Sequence, residues 1–96
     1  MKHDLHLTIA IAQLYAEAAS LLRHSKTLPA HDREKELRLT AAARRRMSTA
    51  REDVKMLGHE AQKLWAHVDR HAALGHQKET NALATEIVRG VRAHVS

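Results

Sequence analysis

The sequence predicts an all-α protein, and three observations predict it. The 96 residues include one Pro, three Gly and no Phe, so the residues that make turns and favour strands are scarce. Apolar residues recur at alternating spacings of four and three, the rhythm of a helix seam rather than of a strand. Of 42 apolar residues 17 are Ala, which leaves only 25 larger side chains and suits closely approaching helices over a thin core. The length fits one domain. The expected architecture is a three-helix antiparallel hairpin or bundle with a long central helix, completed by dimerisation. A break at Gly58 would make it four helices.

The first helix is expected over Asp4–Ser25. Leu7, Ile11, Leu14, Ala18 and Leu21 form its seam, and Leu5, Ile9, Ala12, Tyr15, Ala19 and Leu22 widen it. Only a narrow stripe of Gln13, Glu17, Ser20 and His24 stays polar. Such a helix needs cover on more than one side, either at the centre of a bundle or at a subunit interface. Gln13 interrupts the apolar stretch Thr8–Ala12, and Asp4 offsets Lys2. The expectation is therefore a cytoplasmic protein with neither a signal peptide nor a membrane span.

Thr27-Leu28-Pro29 marks the first break, because proline suits the opening turn of a helix and Thr27 is a good cap. Asp32, Glu34 and Glu36 then lie near the positive end of the new helix dipole, and Glu34–Arg38 is spaced for an ion pair. From there Ala43, Met47, Ala50, Val54, Leu57, Ala61, Leu64 and Val68 keep their rhythm straight across Gly58. One helix is expected over Pro29–Ala73, about 65 Å long at 1.5 Å per residue. The alternative makes Gly58 a C-cap. Gly75 is a helix stop, and a last helix follows over Lys78–His94 with Leu83, Ile87, Val91 and Val95 on one face.

Folding the outer helices back along the long one leaves an apolar side uncovered on each hairpin, which pairing two chains would cover. The seam expected to serve as core and dimer contact is Leu7, Ile11, Leu14, Val54, Leu57, Leu64, Trp65 and Val68.

Charge and side-chain chemistry narrow the function. Sixteen Lys and Arg against eleven Asp and Glu give a net charge of +5 with histidine neutral. Nine histidines would lift it to about +14 on full protonation. The absence of cysteine excludes disulfide scaffolds and thiolate metal sites. No Glu stands three positions before any His, which disfavours a di-iron bundle. No nucleophile with a visible partner, phosphate loop or glycine-rich turn is present, so the chain is expected to be no enzyme and to need no cofactor.

The basic run Arg44-Arg45-Arg46 with Arg51 contains four positive charges and no acid. On a helix Arg44 and Arg51 share a face with Lys55 one turn on, and Arg38 and Arg45 share a second. Arg38, Arg44, Arg45, Arg51 and Lys55 are the candidate partner- or phosphate-binding residues. The leading expectation is a homodimeric helical interaction or regulatory protein, of the accessory-factor or inhibitor type, that presents this face to a larger protein partner. Sequence-independent binding of nucleic acid through the same arginines is the alternative. A metal- or pH-responsive module is a second alternative, resting on His67 and His71, which stand one helical turn apart with the spacing of two zinc or nickel ligands.

Overall fold

A computed structural model describes the backbone of residues 2–95 and the side chains of residues 5–94. These residues form four helices and no strand: α1 Lys2–Lys26, α2 Arg33–Val54, α3 His59–Ala73 and α4 Gln77–Val95. The all-α class is as the sequence predicts.

The centre lies elsewhere than expected. Among the described residues α1 and α3 each approach all three other helices, α1 most extensively along α2 and α4, while the backbones of α2 and α4 do not approach one another. The cause is the apolar girth of α1. Ile11, Tyr15, Ala18 and Ala19 are buried, and Leu7, Ala12, Leu14, Leu21 and Leu22 pack around them. Successive helices reverse direction. Arg46 of α2 meets Glu17 and Gln77 of α4 meets Arg23, while Trp65 of α3 stacks on Tyr15. An 18-residue window within Leu5–Lys26 reaches a mean hydropathy of 1.3, so α1 has the length and composition to cross a bilayer, which the sequence reading did not expect. Here the same residues are those the other helices pack against.

The expected helix over Pro29–Ala73 is two helices. A straight rod of about 65 Å would exceed the whole molecule, whose longest extent is 50 Å. After Val54 the hydrogen bonds tighten: Met56 N donates to Asp53 O at 3.0 Å and Leu57 N to Val54 O at 2.9 Å. Gly58 then adopts extended backbone (φ −65°, ψ 162°) as the N-cap of α3, not as a C-cap of α2. Gln62 closes the corner, its N donating to Gly58 O at 3.0 Å and its Nε2 to Leu57 O at 2.9 Å. The reversal lays Trp65, Val68 and Ala72 against the core, all three fully buried. Burying an indole is worth roughly 2–3 kcal/mol or more, which outweighs the few hydrogen bonds lost at the corner.

The first break also differs from expectation. Thr27 does not cap α2; its hydroxyl and its N–H both donate to His24 O, at 2.7 and 3.0 Å, and so finish α1. Pro29 to His31 form a turn closed by Asp32 N to Pro29 O at 3.0 Å, and Asp32 is the residue at the N-cap of α2. Glu34 and Glu36 do fall in the first turn, as the dipole argument requires.

Six of the eleven buried apolar residues are alanines: Ala18, Ala19, Ala43, Ala50, Ala72 and Ala84. The volume comes from the Tyr15–Trp65 stack, with centroids 5.9 Å apart and planes 16° apart, supported by Ile11, Met47 and Val68. Leu83 and Ile87 bring α4 onto this cluster; the side chain of Val95 lies outside the described residues.

Candidate functional site

The register of α2 sorts the basic run into two groups. Ala43, Met47 and Ala50 face inward. That turns Arg38, Arg44 and Arg45 outward, beside Leu37, Ala41 and Ser48, all of them exposed. Among the described residues none of these three guanidinia meets a carboxylate, and the expected Glu34–Arg38 pair is not made.

Their neighbours are spent within the chain. Arg46 Nε donates to Glu17 Oε1 at 2.7 Å, joining α2 to α1, and its Nη1 donates to Ala42 O at 3.1 Å. Arg51 makes a two-pronged contact with Asp69, Nε to Oδ2 at 2.7 Å and Nη2 to Oδ1 at 3.1 Å. Lys55 Nζ lies 3.4 Å from Glu52 Oε1. Two of the five residues assigned to the partner-binding face, Arg51 and Lys55, are therefore engaged in intrachain contacts. A helical wheel cannot see this, because the acid that claims Arg51 arrives on another helix.

Asp69 is the polar residue the sequence reading missed. Its Oδ2 accepts a second hydrogen bond, from the Tyr15 hydroxyl at 2.8 Å, so one carboxylate ties α1, α2 and α3 together. Burial, followed by the hydrogen bond to Asp69 and its negative charge, pushes the Tyr15 phenol well above its ordinary value of 10.0. The same hydrogen-bonded carboxylate raises the Arg51 guanidinium further above its ordinary range. The available signal was position, since Asp69 directly follows Val68 on a helix whose Trp65, Val68 and Ala72 are buried. Beside this triad is an open cleft of about 400 Å³, lined in part by Tyr15, Arg51, Trp65 and Asp69. The Trp65 Nε1–H is buried with no partner among the described residues.

The seam residues are largely internal. Ile11, Trp65 and Val68 are buried, and Leu7, Leu14, Val54 and Leu57 pack against the core. Leu64 is 52% exposed and takes no part in it. Of the eight seam residues three are therefore buried and four partly buried within the chain, which weakens the argument for dimerisation from an uncovered seam.

His67 and His71 each have a ring nitrogen beside another side chain. His67 Nδ1 lies 2.8 Å from Arg70 Nη2, and His71 Nδ1 lies 3.3 Å from His76 Nδ1. No group of three or more His, Asp or Glu positioned to hold a metal ion occurs among the described residues. A second open cleft of about 440 Å³ runs between α1 and α4, floored by Ala12, Ala16, Ala84 and Val88. Comparison with protein-family models, with curated proteins and with solved structures finds no match to this chain.

Proposed function

We propose that the chain is a non-catalytic helical interaction module that presents the outer face of α2 to an acidic surface on a larger protein partner. One observation carries this reading: Arg38, Arg44 and Arg45 are exposed without a carboxylate partner, while Arg46 and Arg51 beside them are each held by an acid of their own chain. Arg38 and Arg45 on one outward face of α2 and Arg44 on the adjoining one form a positive arc with planar, fork-shaped donors suited to carboxylates.

The exposed Leu37, at 53%, lies on the same arc and favours a protein partner over nucleic acid. An exposed apolar side chain on the same outward arc as arginines is compatible with the anchor-and-rim pattern of protein interfaces. Base stacking needs exposed aromatic rings, and both Tyr15 and Trp65 are buried. Self-association is not part of this reading, because seven of the eight residues that suggested it are buried or partly buried against the chain's own core.

The test is a titration of the full chain with an acidic helical peptide and, separately, with a mixed-sequence DNA duplex, followed by backbone amide shifts. The peptide should perturb α2 between Leu37 and Thr49. The triple variant R38Q/R44Q/R45Q should weaken that binding at least tenfold while melting like the wild type. Arg51→Gln should do the reverse, losing stability and keeping affinity. Duplex binding that persists at about 0.15 M salt and falls log-linearly as salt rises would replace the protein partner with nucleic acid.

A further inference from the structure

The reversal at Gly58 sends α3 back beside α2, yet of the helix pairs that meet, these two meet least. Beyond the corner they leave between them the open cleft of about 400 Å³ that Tyr15 of α1 closes from behind. Its lining combines two chemistries. Val54, Ala66 and the aromatic residues Tyr15 and Trp65 supply an apolar wall, while Arg51 and Arg70 bring two guanidinia to the same space.

The hydrogen bonds of that lining are unevenly spent. Asp69 is the acid in it, and its carboxylate already accepts from the Tyr15 hydroxyl at 2.8 Å and from Arg51 Nε and Nη2 at 2.7 and 3.1 Å. Gln62 Nε2 is given to Leu57 O at 2.9 Å. Much of the donor side is unused. Arg51 Nη1 has no partner among the described residues. Arg70 meets no carboxylate there, and its one contact, Nη2 to His67 Nδ1 at 2.8 Å, leaves Nε and Nη1 free. The Trp65 Nε1–H is a further donor without a partner; it is closed to solvent, so it adds to the imbalance without being a ready contact. Two guanidinia against one carboxylate leave the cleft positive.

We propose that this cleft is a binding site for a small organic carboxylate, with an apolar body of one ring or a short chain against Val54, Ala66 and Trp65 and its carboxylate on Arg70 and the free Nη1 of Arg51. The volume lies within the range of small-molecule sites, about 300–1,000 Å³. The planar fork of arginine matches a carboxylate in shape and charge. An inorganic anion would use the guanidinia and leave the apolar wall idle, and a neutral apolar molecule would do the reverse. A ligand carrying both parts satisfies both halves of the lining, and Asp69 keeps its bonds to Tyr15 and Arg51 throughout. The site is separate from Arg38, Arg44 and Arg45 and does not depend on the face they form.

The experiment titrates the full chain at neutral pH with cyclohexanecarboxylate, with cyclohexanecarboxamide as its neutral match, and with inorganic phosphate. Trp65 is the one tryptophan of the chain, so its emission reads this cleft, and backbone amide shifts locate the contact. The carboxylate should give a saturable change centred on Val54, Ala66 and Arg70, at least tenfold tighter than the carboxamide, and phosphate should not displace it. Arg70→Gln and Ala66→Leu should each weaken binding at least fivefold while melting like the wild type; the second fills the cleft without altering its charge. The triple variant R38Q/R44Q/R45Q should leave the affinity within about twofold, which separates this site from the α2 face. Wild-type affinity in folded Arg70→Gln or Ala66→Leu would overturn the proposal. So would equal affinity for the carboxamide, displacement by phosphate, or the lack of a saturable change in both signals. Displacement by the acidic helical peptide would assign the cleft to a protein side chain and overturn it as well.

Discussion

Tyr15 has two separable tasks, and pH pulls them apart. Its ring stacks on Trp65, and its hydroxyl donates to Asp69 at 2.8 Å. The phenol is harder to ionise in the folded chain than its ordinary value of 10.0, chiefly because it is buried and then because it donates to a carboxylate. A proton held more tightly by the folded state makes stability fall as pH rises. This contribution is intact below about pH 10 and is lost progressively above it. The melting temperature of the wild type should therefore drop through the alkaline range by more than that of Tyr15→Phe, since lysines titrate alike in both. Near neutrality the same variant should be less stable by about 1.5–3 kcal/mol, the range for a hydrogen bond to a charged group. Parallel alkaline limbs would show that the phenol ionises without unfolding the chain. The importance of Tyr15 as a packing residue was legible in the spacing of α1. Its attachment to Asp69 was not, because the two are 54 residues apart and only tertiary structure joins them.

At the scale of elements, the two glycines at helix ends behave oppositely, and the sequence distinguished them otherwise, taking Gly75 as a stop and running a helix across Gly58 with a C-cap there as the alternative. Gly75 was read as a stop and is one, with φ +71° and a space in which a Cβ would lie 3.1 Å from Arg23 N. Gly75→Ala should cost about 1–2 kcal/mol from the left-handed conformation alone, and more from that contact. Gly58 needs no special conformation, and a Cβ there would meet nothing within 4 Å. It caps α3 without any side-chain hydrogen bond, so Gly58→Ser should stabilise by a few tenths of a kcal/mol. Thermal melts of the two variants should move in opposite directions. The seam from Ala43 to Val68 was legible as a helix-period pattern, and its residues do face the core, apart from Leu64. What the pattern could not show is a reversal of direction. A short turn that preserves the phase of the apolar stripe leaves the periodicity intact, so Lys55 to Gly58 passed as helix.

For the molecule as a whole, the class was legible and the arrangement was not. The apolar excess of α1 identified it as a helix to be covered on several sides, but length gave the central place to the second segment. Burial decides otherwise, because a helix with one polar stripe can take neighbours on every other side, whereas α2 has an outward arc of arginines. The same limit applies to the candidate surface. Sequence showed which residues are basic, and the fold showed that Glu17 and Asp69 claim two of them. The two helices that flank α1 without approaching each other have a thermodynamic consequence. Perturbations on α2 and on α4 can couple only indirectly, through α1 or α3, so their free-energy effects should be nearly additive. Met47→Ala and Ile87→Ala, combined, should sum to within about 0.3–0.5 kcal/mol of the separate losses in chemical denaturation. A larger interaction energy would mean that α1 or α3 shifts as a rigid lever, passing strain from one side of the protein to the other.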